Sequence, residues 1–286
     1  MAIFYNYATL SFNGNDTNSN IVTGEICETI RASKNAVSSC YTRGTDITYV
    51  ITLINSGAAA MTNVTVTDDL GAYEIGGTQY VPLDYNIGSV QLYVNGELQP
   101  PPAATVEPPL VFSGITVPAN SSAVIVYTAR ANNFAPLGAD DTIVNTAVIT
   151  GGGIAEPITV TDTIGTCNEA HLCISKSLNP AYVCDDRTVT YTFVIQNSGN
   201  TAVTELDDTI LRDTFNPILS DISVTFNGDP WAANVNYTYS EATGQFATLP
   251  GQITVPAADY IRDPVDNTIT IQPGVSIITV TGTLGA

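Results

Sequence analysis

Residues 45–57 read TDITYVITLINSG, and residues 187–199 read RTVTYTFVIQNSG. Tyr49 aligns with Tyr191, and Asn55-Ser56-Gly57 with Asn197-Ser198-Gly199, at an offset of 142. The only two lysines keep that offset, in Ser33-Lys34 and Ser175-Lys176. Downstream, ITVPANSSAVIVYTA from Ile115 matches ITIQPGVSIITVTGT from Ile269. The chain is a two-fold internal repeat.

Composition says what kind of unit repeats. A chain of 286 residues accommodates two domains of about 140 residues each. Apolar residues make up 44% and charged ones 12%, with 22 Gly, 16 Pro and much Thr, Asn and Val. β-Branched residues suit a pleated surface, and Asn, Gly and Pro suit turns. No stretch sustains a helical period, so the expected class is all-β.

A net charge of −19 argues against nucleic acid as a partner, because eight cationic residues cannot neutralise a row of phosphates. It also disfavours anionic membranes and keeps a monomer soluble by self-repulsion. No apolar run is long enough for a transmembrane helix. The opening MAIFYNYATLSF has no basic n-region, and Asn6, Thr9 and Ser11 interrupt any apolar core, so no signal peptide is recognisable. Few lysines, much Thr and Asn and five cysteines nevertheless resemble an external surface protein. Either a leader has been removed, or the protein reaches the outside without one.

The two copies are framed differently. After Ala129 the first continues through ADDTIVNTAVITG, which supplies one more strand, whereas the second stops at Ala286, just beyond the equivalent position. The missing piece sits at the other end of the chain. NYATLSFNG from Asn6 matches NTAVITGGG from Asn145, and IVTGEIC up to Cys27 then parallels ITVTDTIGTC up to Cys167. The expected organisation is a donor arm at 1–14, a first sandwich at 15–166 and a second at 167–286 that lacks its last strand. A sheet one strand short exposes unpaired N–H and C=O groups and an apolar groove, which templates pairing. The inward positions of the arm, Phe4, Asn6, Ala8, Leu10 and Phe12, are the candidate plug. The arm could serve a neighbouring copy, giving a head-to-tail ring or filament with the chain itself as partner. It could instead fold back on its own second domain, since residues 13–27 reach roughly 50 Å when extended.

The order K-S, T-Y-x-x-x-x-N-S-G, V-T-V-T-D-D-L and N-T-A-V-I-T resembles a bacterial surface repeat family catalogued as a domain of unknown function. The likeness covers residues 28–151 and 168–286. It implies immunoglobulin-like β-sandwiches in tandem, as found on cell walls and sheaths. Size and two-copy architecture also resemble clostridial spore-appendage subunits, which implies a spore-surface location and spore-coat proteins as further partners.

Strand phase draws attention to polar residues on apolar faces. Lys34 shares a face with Ile30 and Ala32, and Lys176 with Leu172 and Ile174. Asp68 is in phase with Val64 and Val66, Asp213 with Leu211 and Phe215, and Asn145 with Ala147 and Ile149. A buried lysine must be paired or lose its charge. The set resembles the Lys–Asn isopeptide arrangement of bacterial pilin and adhesin sandwiches. That resemblance implies a bond within one chain from Lys34 to Asn145 beside Asp68, and a bond between subunits from Lys176 to the neighbour's Asn6 beside Asp213. The plainer alternative is a salt bridge, with asparagines satisfying backbone groups.

Cys27 and Cys167 match in the repeat, as do Cys40 and Cys184, leaving Cys173 over. One pairing is Cys27–Cys40, with either Cys167 or Cys173 joined to Cys184, and an odd cysteine points to a bond between subunits. Zinc is the lesser alternative beside a single histidine, His171. No cofactor and no enzymatic activity are expected: no nucleophile elbow, phosphate loop or HExxH motif occurs. The acidic pairs at 68–69, 140–141, 185–186 and 207–208 lack calcium-loop spacing. Trp231 could stack on a sugar. The expected function is a structural filament subunit, and its rival is a surface adhesin or carbohydrate-binding stalk. Tyr73–Gly88 and Asp229–Gln245 could form a binding edge in that rival, or equally lateral contacts in a fibre.

Overall fold

The computed structural model describes residues 2–26, 30–182 and 187–284. The N-terminal arm contains β1 (Ala2–Asn6), β2 (Thr9–Phe12), β3 (Asn15–Asn18) and β4 (Val22–Ile26). The first body begins with β5 (Ile30–Ala36), β6 (Cys40–Tyr41), β7 (Asp46–Asn55), β8 (Met61–Asp68), β9 (Tyr73–Ile75), β10 (Thr78–Tyr80) and β11 (Leu83–Tyr85). It continues with β12 (Gln91–Val94), β13 (Glu97–Gln99), β14 (Ala103–Thr105), β15 (Leu110–Val117), β16 (Ser121–Ala131), β17 (Thr142–Gly151) and β18 (Ile158–Thr166). The second body begins with β19 (Leu172–Asn179), β20 (Thr188–Asn197), β21 (Arg212–Thr214), β22 (Leu219–Phe226) and β23 (Asp229–Trp231). It ends with β24 (Tyr237–Tyr239), β25 (Gln245–Thr248), β26 (Asp259–Arg262), β27 (Ile269–Gln272) and β28 (Gly274–Leu284).

Both bodies are all-β, immunoglobulin-like two-sheet sandwiches. In the first, one sheet runs β13-β12-β16-β7-β5 and the other β14-β15-β8-β17-β18-β6. Alternation along β7 sends Ile47, Tyr49, Ile51 and Leu53 inward, where they meet Val64, Val66, Phe112, Ile125 and Ile149, all fully buried. In the second, β19-β20-β28-β22-β23 repeats the first sheet, and its partner is only β21-β25-β24. Val189, Phe193, Phe215, Leu219, Phe246, Ile278 and Val280 form that core.

Two compact units result: residues 1–39, 44–132 and 143–164, and residues 40–43, 133–142 and 165–286. The short segments 40–43 and 133–142 thus pack with the second unit. Within it the Arg43 guanidinium donates to the Ile269 carbonyl, and the Ile269 N–H donates to Asn133 O at 2.9 Å. One sequence match is re-cast. ITIQ at 269–272 is β27 and pairs with β26, whereas ITVP at 115–118 lies at the end of β15, which pairs with β8.

The repeated Asn-Ser-Gly ends of β7 and β20 have a physical cause. The buried Asn55 amide donates to the carbonyls of Ala59, Val117 and Pro118 at 2.9–3.1 Å, and its Oδ1 accepts from Gly57 N–H. Asn197 does the same with Thr201 O and Pro256 O, and accepts from Gly199 and His171 N–H. Gly199 is required there, since a Cβ would lie 2.1 Å from Glu169 O. Replacing Asn55 by alanine orphans these groups and should cost about 1–3 kcal/mol, read from the urea midpoint. A shift corresponding to less than about 0.5 kcal/mol would show that water replaces the amide.

Candidate functional site

In the first body the inward phase of β5 buries Lys34, which is 4% exposed. Its Nζ donates to Asp68 Oδ2 at 2.7 Å and lies 5.1 Å from the Tyr49 ring centroid. Tyr127 Oη donates to the same carboxylate oxygen at 2.6 Å, and Leu70 N–H donates to Oδ1 at 3.0 Å. Asn145 on β17 donates from Nδ2 to Tyr127 Oη at 3.2 Å. Its Oδ1 is buried with no hydrogen-bond partner among the described residues. Lys34, Asp68 and Asn145, widely separated in sequence, therefore belong to one dry cluster.

Burial acts strongly on these groups. Desolvation pushes the Lys34 pKa below its usual 10.5, with the Asp68 charge opposing. Desolvation and the neighbouring Asp68 push the Tyr127 phenol well above 10, and burial raises Tyr49 as well. Burial thus loosens the proton of an amine that is hydrogen-bonded to the Asp68 carboxylate and lies in the same cluster as an uncharged carboxamide. Two members escaped the sequence reading. Tyr49 and Tyr127 stack at 5.5 Å between centroids, and their inward phase on β7 and β16 was the available signal.

The second body builds the same site with one side open. Lys176 is hydrogen-bonded to Asp213, yet their side chains are 38% and 19% exposed. The ammonium lies 4.4 Å from the Tyr191 ring centroid, with Phe215 and Phe193 just beyond 5 Å. Register places Val280 opposite Tyr191, as Tyr127 is opposite Tyr49, so the position whose phenol donates to Asp68 is a valine in the second body. The whole of β19 is exposed, where the matching β5 buries Ile30 and Lys34. Leu172, Ile174 and Leu178 stand open beside Lys176 at 40–53% exposure. The neighbouring cleft is lined by Leu172, Ile174, Ile195, Ile210, Leu211 and Ile253, together with Cys173, Thr209 and Arg212.

The cause lies in strand count. In the first body β8 pairs with β15 on one side and β17 on the other, with Ala147 opposite Asp68. In the second body β21, which carries Asp213, pairs with β25 and has no further strand among the described residues.

The arm differs from the single strand expected over Phe4–Phe12. It breaks at Tyr7–Ala8, and each half has its own partner. β1 pairs with β4, placing Phe4 opposite Gly24, and β2 pairs with β3. β4 therefore belongs to the arm's ladder and to neither main sheet. Phe4, Leu10 and Phe12 are 53–72% exposed, and Asn6 and Ala8 are exposed with them.

The cysteine pairing is corrected. Cys40 is bonded to Cys167, which removes the Cys27–Cys40 and Cys167–Cys184 alternatives. β18 runs parallel to β6, with Gly165 opposite Cys40, so the next residues deliver Cys167 to it; spacing along the chain carries no trace of this. Cys173 is exposed and unbonded, while Cys27 and Cys184 lie outside the described residues. Among the described residues no three His, Cys, Asp or Glu groups converge as metal ligands. Asp69 instead accepts from Gly71 and Thr146 N–H, and Asp207 caps the turn at Thr204. Trp231 stacks on Phe226 at 4.9 Å between centroids, which covers one face of its indole.

No known protein family profile matches the chain, and no curated protein matches it. Solved structures with a similar course include the major pilin subunit BcpA of Bacillus cereus in its D312A form. It is 9% identical over 94% of this chain and 70% of that one, with a TM-score of 0.38. The pilus backbone RrgB of Streptococcus pneumoniae is 12% identical over 85% and 55%, with a TM-score of 0.34. The collagen-binding domain of a Staphylococcus aureus adhesin is 11% identical over 50% and 100%, with a TM-score of 0.32. At such identities and scores these likenesses carry no argument about function, which rests on the geometry above.

Proposed function

We propose that this chain is the structural subunit of an extracellular or spore-surface filament, assembled head to tail when its N-terminal arm enters the second body of a neighbouring copy. The observation that supports this is the contrast between two matched edges: β8 is flanked by β17, and β21 by nothing among the described residues. An open edge above an exposed apolar face is a template for an added strand. The arm is the part of the sequence that matches β17. Since donor and acceptor are different surfaces, the contact is heterologous and propagates. The role is mechanical, with copies of the chain as principal partner and spore-coat proteins as anchors of the fibre.

Covalent hardening belongs to the same reading. In the first body the Lys34 amine, after passing a proton to Asp68, attacks Asn145 Cγ; the Cγ–Nδ2 bond breaks, Asp68 returns the proton to the departing nitrogen, and ammonia leaves. Between subunits Lys176, Asp213 and the neighbour's Asn6 perform the same step. Intact mass should fall by about 17 Da for the first bond, the mass of the ammonia released. An unchanged mass, with Asn145 recovered intact in peptides, leaves a salt bridge in its place.

Electron microscopy of the purified chain tests the assembly, and size exclusion of a variant lacking residues 1–13 tests its cause. Fibres from the full chain and monomers from the variant are expected. Polymers that persist without the arm, or dispersed particles from the intact chain, would refute the proposal.

A further inference from the structure

We infer that what enters the neighbour is the whole hairpin of residues 2–26, in the register by which β17 and β18 complete the first body. This rests on the filament reading above and specifies its interface.

In the first body the open side of the sandwich is closed by two strands. β17 lies between β8 and β18, and β18 reaches β6. Asp162 on β18 also accepts a hydrogen bond from the Ala36 N–H of β5 at 2.9 Å, so the second strand ties back to the lysine strand. The sequence match runs through both strands, from Asn6 to Cys27 against Asn145 to Cys167. Residues 2–26 are already paired as a hairpin, turning at Asn13-Gly14 with φ of 50° and 78°, the conformation that Asn-Gly favours. A lone two-stranded hairpin is marginal in water, and this one leaves Phe4, Leu10, Phe12, Ile21 and Val22 more than half exposed. Its ladders pair only with each other among the described residues. The β21 edge and the Leu172–Leu178 face are the matching vacancy.

The first body supplies the register. Ala147, Val148 and Ile149 stand opposite Asp68, Thr67 and Val66. Transferred by the repeat, Ala8 stands opposite Asp213, Thr9 opposite Arg212 and Leu10 opposite Leu211 of the neighbour. The second strand then ends where β18 ends. Cys167 follows β18 and bonds Cys40; in the repeat Cys27 takes the place of Cys167 and Cys184 that of Cys40. Cys27 and Cys184 lie outside the described residues, so their pairing serves as the reporter of the second strand. Its formation removes two protons and two electrons from the two thiols, taken up by glutathione disulfide as two molecules of glutathione.

Full-length T9C and full-length R212C are mixed, assembled and oxidised with glutathione disulfide, and the linked peptides are mapped. Wild-type fibres are treated alike and run on a non-reducing gel. The expected results are a link between positions 9 and 212, and a wild-type ladder of multimers joined through Cys27 and Cys184 that collapses on reduction. The 9–212 link without the Cys27–Cys184 bridge would mean that one strand enters alone, overturning the hairpin while the filament stands. Fibres with neither link overturn the register. Absence of fibres removes the filament reading itself.

Discussion

Substitution of Asp68 by alanine, which also removes the proton shuttle and so leaves Lys34 a free amine, is expected to destabilise the first body by about 3–5 kcal/mol, the usual cost of leaving one buried charge unpaired. Lys34 and Asp68 have fully buried side chains, so neither group recovers solvent when the other is lost. The same change at Asp213 should cost no more than about 1 kcal/mol in the unassembled chain, because water screens a pair exposed at 38% and 19%. Urea unfolding of both variants, followed by probes specific to each body, makes the comparison. Equal losses would show that the second site is as closed as the first, and the open-edge argument would fail. The pH dependence has a defined sign. Lys34 holds its proton less tightly when folded than when unfolded, so its contribution to stability rises as pH climbs through the window below 10.5. Tyr127 acts oppositely: its phenol is raised when folded, so its contribution is intact below 10 and is lost at higher pH.

Removing the disulfide by C40S and C167S together should lower stability by about 4–5 kcal/mol, since the bond closes a loop spanning a separation of 127 residues. That loop contains nearly the whole first body, so the bond restricts the unfolded chain far more than the folded one. Thermal unfolding of the double variant, compared with the wild type with and without reductant, measures it. A loss below about 1 kcal/mol, a small fraction of the loop-closure value, would mean that the reduced chain retains compact structure when unfolded.

Strand content and the two-fold repeat were legible in the chain because both are local. Alternation at Ile47, Tyr49, Ile51 and Leu53 follows from the two-residue period of a strand, whatever lies opposite. The grouping of Lys34, Asp68 and Asn145 was foreseeable for the same reason, since each is a polar residue in inward phase. Their depth was not, because burial depends on which strand covers them. Lys34 and Lys176 have almost the same local sequence, yet one is sealed and the other stands at an open edge. Tyr127 illustrates the limit too: its counterpart is Val280, visible only once β16 and β28 are set in register against β7 and β20.

Sequence by itself determined the fold class and the repeat, since pattern and count require no third dimension. Tertiary structure alone decided that Cys40 meets Cys167, that the arm is a hairpin, and that the strand of Asp213 is paired on one side only among the described residues. Those outcomes depend on which distant strands lie side by side, and hydrogen-bond pairing across a sheet is set by long-range register, which no stretch of residues carries alone.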